Sequence, residues 1–137
     1  MRKISRKGWI KKLDKLVSEI VIKRDKHCII CGSTKQLGAG HLFSRRFYNG
    51  RWDLDNVFAQ CWACNFKHTK DPYPYWNWYI KKFGLRKFNK LAEKVRQITH
   101  YKDYQLQEMY EKLSNGNSSK ENYDYGRTKV TKEENII

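Results

Sequence analysis

The sequence has no apolar run of the roughly 18 residues that a bilayer-spanning helix needs, and its opening, MRKISRKGWIKKLDKL, has no uninterrupted apolar core of the kind a secretory signal carries. These absences exclude membrane-spanning and exported designs, and the expectation is a soluble, cytoplasmic protein with no membrane partner. Negative charge is scarce as well: 14 Asp and Glu stand against 29 Lys and Arg, leaving a formal net charge of +15. An excess of that size makes an anionic polymer the default partner. Proline occurs only twice, at Pro72 and Pro74, so the chain has one strong internal punctuation mark.

What is present divides along the chain. Residues 1–27 carry ten basic and three acidic side chains, residues 28–72 six and three, residues 73–113 nine and four, and residues 114–137 four and four. The positive field therefore belongs to the body and to a basic arm, residues 1–12, with Arg2, Lys3, Arg6, Lys7, Lys11 and Lys12. Leu13, Leu16, Val17, Ile20 and Val21 recur at helical spacing, which predicts an amphipathic helix over residues 13–24. Residues 28–71 show short apolar pieces and no sustained period, as loops and a small hairpin would. Beyond Pro72, three helical stripes are expected: Trp76, Tyr79, Ile80 and Phe83; then Phe88, Leu91, Val95 and Ile98; then Leu106, Met109, Tyr110 and Leu113 behind an N-cap at Asp103. Packing into the core is the first reading of these stripes, and a partner helix in a homodimer is the second. The polar, charge-balanced segment 114–137 reads as a tail.

All four cysteines fall in two Cys-x-x-Cys pairs, Cys28 and Cys31 in CIIC and Cys61 and Cys64 in CWAC. Two such turns offer four thiolates to one tetrahedral Zn²⁺. A redox dithiol needs only one pair, and disulfides are disfavoured in a reducing compartment. A closed four-sulfur shell has no open position, so this zinc is expected to hold structure and not to perform chemistry.

Between and after the pairs lie His41, Asn56, Asn65 and His68. The order Cys-x-x-Cys, Gly-His, Asn, Cys-x-x-Cys-Asn resembles the HNH or His-Me finger endonucleases. It is most similar to endonuclease VII, which also has paired zinc knuckles, and to the NinG (Rap) recombination proteins of lambdoid phages. The NinG likeness rests on LDKLVSEIVIKRD, CGSTKQLGAGHLFSRR and RWDLDNVFAQCWACN, within residues 13–72.

The resemblance implies a small α+β fold: a zinc-stapled ββα-metal core in residues 13–72 with an N-terminal helix, followed by an aromatic-rich helical extension, residues 73–113, for dimerisation or DNA binding. It implies His41 as the general base that activates water, Asn56 as the brace of the ribbon loop, and Asn65 as a ligand of a catalytic Mg²⁺ or Mn²⁺. His68 would be a second ligand or a phosphate contact. The chain departs from many of those relatives in having Gly40 where they carry an Asp ligand. Asp53, Asp55, a backbone carbonyl, the substrate phosphate or water are the candidates to supply that oxygen.

The activity so implied is hydrolysis of DNA phosphodiesters, on branched or Holliday-junction DNA in phage recombination, in the cytoplasm of the host. One neutral imidazole and one cation suffice to deprotonate water and to stabilise the charge that builds on the phosphate and the leaving oxygen. Arg45, Arg46 and Arg51 beside the ribbon, with Lys67 and Lys70 on the following helix, are the expected phosphate grips. No helix presents an array of Arg, Asn and Gln for reading base edges, so selection by DNA shape is expected. Trp62, Phe66 and the YPYWNWY cluster are read as core, with stacking on unpaired bases as the alternative. Two other functions fit the residues: a zinc-stabilised nucleic-acid-binding protein with a degenerate active site, and a sequence-tolerant nicking nuclease.

Overall fold

The computed structural model describes residues 2–118 of the 137. Its elements run α1 (Arg6–Asp25), β1 (Leu37–His41), α2 (Tyr48–Arg51), β2 (Val57–Cys61), α3 (Trp62–Lys70), α4 (Tyr73–Phe83), α5 (Leu85–Arg96) and α6 (Asp103–Ser118). This is a small α+β fold in which helices cover both faces of a two-stranded ribbon.

Helix α1 starts earlier than the apolar stripe indicates. Ser5 is its N-cap, its hydroxyl accepting from the Gly8 amide at 3.1 Å, and Lys26 ends it in the left-handed conformation. Most of the expected basic arm is thus the first turns of a helix. Arg6 donates to the Tyr101 carbonyl, and Lys12 lies over the Trp9 and Tyr110 rings. Only residues 2–5 precede the helix among those described.

Strands β1 and β2 pair antiparallel, Leu37 opposite Cys61 through His41 opposite Val57. Because side chains alternate across a ribbon, Ala39 and His41 share a face with Val57 and Ala59, while Gly40 shares the other with Phe58 and Gln60. On the His41 face, Leu13, Val17 and Val21 of α1 pack with Trp52, Val57 and Leu106 of α6. On the Gly40 face, Phe58 packs with Tyr75, Tyr79 and Phe83 of α4 and Leu91 and Val95 of α5. The outer edge of β2 is closed locally: the Ala59 amide donates to buried Asp25 at 2.8 Å, the Ala59 carbonyl accepts from Ile29 at 3.0 Å, and Arg24 donates to the Val57 carbonyl at 2.8 Å. A bare ribbon edge would invite pairing with another chain.

The helical stripes after Pro72 pack within the chain. Pro74 lies in the first turn of α4, as its missing amide favours, and Gly84, at φ 94°, separates α4 from α5. Ile98 is an exception: α5 stops at Arg96 and Ile98 is 84% exposed. Helix α6 continues through Ser118, so residues 114–118 are helical and not tail; the rest of that segment, 119–137, lies outside the described residues. Three more side chains depart from the core expectation, the first being Tyr73 at the start of α4, which is 65% exposed. Trp62 and Phe66 on α3 are 66% and 51% exposed.

Candidate metal centre and catalytic cleft

The sulfur cluster forms where both knuckles meet at the end of the ribbon distal to His41. The Sγ atoms of Cys28, Cys31, Cys61 and Cys64 all lie within 4.8 Å of one another, and Cys31 and Cys61 are 3.7 Å apart. A tetrahedral Zn²⁺ with bonds of about 2.3 Å spaces its sulfurs about 3.8 Å apart, so the cage fits that ion. Burial would raise the Cys28 thiol, but the amides of Cys31, Cys61 and Ile30 aim at its sulfur and bring it down to about 7. Cys64 is pushed up, first by burial and then by the neighbouring thiols. Four thiolates this close repel one another unless a dication sits among them, which is the chemistry of a structural metal site. The Cys61 sulfur also caps α3, accepting the Cys64 amide at 3.4 Å, so the same residue ends β2, contributes to the sulfur cage and starts the next helix.

A cleft of about 780 Å³ opens beside the ribbon, lined by Asp14 of α1, His41 of β1, Arg45, Arg46 and Arg51 of the connecting segment, and Asn65 and His68 of α3, among others. His41 Nε2 lies 2.9 Å from the Arg51 carbonyl. A carbonyl only accepts, so Nε2 carries the proton and Nδ1 carries the lone pair. Burial lowers the His41 pKa below its usual 6.5, against the opposing pull of the Arg51 carbonyl and Asp14. The ring is therefore neutral at pH 7.

Asn56 is fully buried and spans the segment between the strands. Its Oδ1 accepts the Phe43 amide at 2.9 Å, while its Nδ2 donates to the carbonyls of Phe43 at 3.0 Å and Gly50 at 2.9 Å. These bonds tie together the loop that carries both Arg45 and the Arg51 carbonyl. Asn65 and His68, about one helical turn apart, line the same cleft. His68 Nε2 lies 3.0 Å from the Leu42 carbonyl and its ring packs on Tyr75 at 4.8 Å, while its Nδ1 is buried with no partner.

The carboxylate in this cleft is not one of those singled out in the sequence. Asp53 Oδ2 pairs with Lys94 at 2.6 Å, its Oδ1 accepts the Asp55 amide, and Asp55 faces Lys87; both acids line a different depression, away from His41. Asp14 takes the place instead. It accepts Arg51 Nε and Nη2 at 2.9 and 2.7 Å and the Trp52 indole at 2.8 Å, and these donors outweigh burial and hold its carboxyl below the usual range. The one clue in the sequence is that Asp14 is an acid in an overwhelmingly basic segment.

Gly40 is explained by its own face of the ribbon. A Cβ there would sit 2.1 Å from Gln60 Oε1, so the Gln60 side chain fills the space a larger residue would need. The Gly40 carbonyl is also taken, accepting the Tyr75 hydroxyl at 2.7 Å.

The expected phosphate grips separate into three kinds. Arg45 and Arg46 are exposed at the cleft. Arg51 lines it too, but its guanidinium is engaged by Asp14 and lies over the Tyr48 and Trp52 rings. Lys67 and Lys70 are exposed on α3 outside the cleft lining.

Fold and site together define a small α+β protein stapled by a four-cysteine cluster suited to a structural metal such as zinc, with a basic cleft around a histidine. Residues 2–121 match the family described as NinG: Bacteriophage Lambda NinG protein, and the chain belongs to that family. The match takes in α4–α6 as well as the segment from α1 to α3. No curated protein and no solved structure matches significantly. Among the described residues, no helix is long and apolar enough to cross a membrane.

Proposed function

We propose that this chain is a divalent-metal-dependent DNA endonuclease of the HNH, or His-Me finger, type, cutting branched or junction DNA in phage recombination. The observation that carries the proposal is the state of His41: its Nε2 is committed to the Arg51 carbonyl, leaving the Nδ1 lone pair uncommitted on a neutral ring that lines a cleft with Asn65 and two exposed arginines. The order β1, β2, α3 is the order a ββα core requires.

In this reading His41 Nδ1 takes the proton from an attacking water while the Arg51 carbonyl stabilises the imidazolium that forms. Asp14 adds to that stabilisation and keeps Arg51 in place. Arg45 and Arg46 hold the phosphates that flank the scissile bond. Asn65, with the unpartnered His68 Nδ1, is the donor set for the divalent ion. A mixed amide and imidazole pair suits Mn²⁺ better than Mg²⁺, which favours an all-oxygen shell. The bound ion supplies charge relief at the phosphate and the leaving oxygen. Two cuts across a four-way junction call for two copies of the chain, hence a homodimer on DNA.

The test is cleavage of a four-way junction and of supercoiled plasmid with Mn²⁺ or Mg²⁺. Wild type should cut, and His41→Ala should cut about 10²–10⁴-fold more slowly with junction binding retained. Gln60 filling the space above Gly40 favours a second reading, a zinc-stabilised nucleic-acid-binding protein with a degenerate site. Wild type that binds without nicking under either ion would select it, while equal cutting of linear duplex and junction would select a sequence-tolerant nicking nuclease.

A further inference from the structure

Helix α3 buries none of its nine residues. The side that carries Asn65, His68 and Thr69 looks into the cleft. The adjoining side carries Trp62, Phe66 and Lys70, spaced four apart and therefore in line along the helix. The Trp62 and Phe66 rings stack 5.5 Å apart and within 7° of parallel, and Lys70 Nζ lies 5.5 Å from the Phe66 centroid. The helix contains no acid, and Lys67 adds a further cation. Two large aromatic rings held in parallel at a water-facing position, with ammonium groups beside them, are shaped for a flat aromatic attached to a phosphate chain.

We infer that Trp62 and Phe66 form a stacking platform for an unpaired nucleobase of the DNA strand whose backbone crosses the cleft. This rests on the nuclease reading for the path of the strand and deepens it, because a platform that accepts only unstacked bases selects branch points, flaps and gaps over continuous duplex. Neighbouring positions on a helix are about 100° apart, so a strand laid across α3 can set a phosphate beside Asn65 and the adjacent base on the aromatic column.

The experiment measures binding without added divalent ion, so that it does not depend on cleavage. A single-stranded oligonucleotide carrying 2-aminopurine, the corresponding duplex and the corresponding RNA strand are titrated with wild type, Trp62→Ala, Phe66→Ala and Trp62→Phe. Wild type should quench 2-aminopurine in the single strand. Trp62→Ala should weaken single-strand binding about ten-fold or more and change duplex binding less than two-fold, while Trp62→Phe keeps most of the affinity. Zinc content and the melting temperature, measured on each variant, should not change. Equal losses on single strand and duplex, no loss on either, or tighter binding to RNA than to DNA would overturn the inference. So would a wild-type dimer that Trp62→Ala converts to a monomer, since the platform would then be a self-interface. A protein that fails to cut junctions yet shows the stated binding pattern would remove the nuclease reading and leave the platform standing.

Discussion

The sulfur cluster and the cleft differ in how they are assembled. Cys28 and Cys31 come from one turn and Cys61 and Cys64 from the junction of β2 with α3, and the Ile29 amide bonded to the Ala59 carbonyl joins the two pairs, so the cage is set largely by local spacing. The cleft draws on α1, β1, the connecting segment and α3, and its geometry exists only when both cores have packed. One site is a property of motifs and the other of the fold. The first should therefore control whether the protein folds, and the second should be open to alteration without unfolding.

The largest expected effect tests that division. Metal binding by thiolate sites is worth on the order of 10 to 16 kcal/mol, at or above the whole stability of a typical domain. Cys28→Ser, or chelation of the metal, should abolish cooperative thermal unfolding and near-UV dichroism, with loss of one bound zinc per chain. A metal-free chain that melts at the same temperature as the loaded one would show that the two cores stand without the rivet, and the contrast between the sites would fail.

The same contrast explains what could be read in advance. The cysteine pairs, and the placement of His41 at the end of β1, Asn56 just before β2 and Asn65 on α3, follow from residue order, because each is fixed by a turn or by a strand end. The stripes of α4–α6 follow from helical period. Asp14 was illegible because its role arises from the pairing with Arg51, far along the chain, which the apolar stripe beside it does not announce. Asp53 and Asp55 were drawn away by Lys94 and Lys87 of α5, an element whose position the sequence does not encode locally. Trp62 and Phe66 read as core on hydrophobicity alone, yet α3 is a helix whose exposed side has no neighbour to cover it among the described residues. The start of α1 was hidden because Gly8 and a basic run mask the cap at Ser5.

A smaller effect separates the two faces of the ribbon. Gly40→Ala drives a Cβ into the side chain of Gln60, which is 1% exposed and must shift within the core to make room. Overpacking of this kind costs about 1–3 kcal/mol, to be read from urea denaturation. Adding Gln60→Ala to Gly40→Ala should recover most of the loss relative to Gln60→Ala alone, because the collision partner is gone. Additive losses would mean that the strain lies in the backbone and not in the side-chain contact. Cleavage should change little in the single variant, since His41 projects from the opposite face.

The finest test concerns the ionisation of His41, where the folded cleft acts on a single proton. Burial disfavours the imidazolium, so the folded pKa lies below 6.5 and the ring is mostly neutral, as the proposed base must be, at every pH above that lowered value. The rate of single-turnover cleavage should rise with pH through a midpoint below 6.5 and then level off. Asp14 favours the charged ring, and Asp14→Asn removes that influence, so the midpoint should move further down. A midpoint above 6.5 would mean that negative charge and not desolvation dominates the ring, while an upward move in Asp14→Asn would mean that Asp14 does not favour the imidazolium. The higher the midpoint, the smaller the neutral fraction of the ring at pH 7, and the less suited His41 is to deprotonate water there.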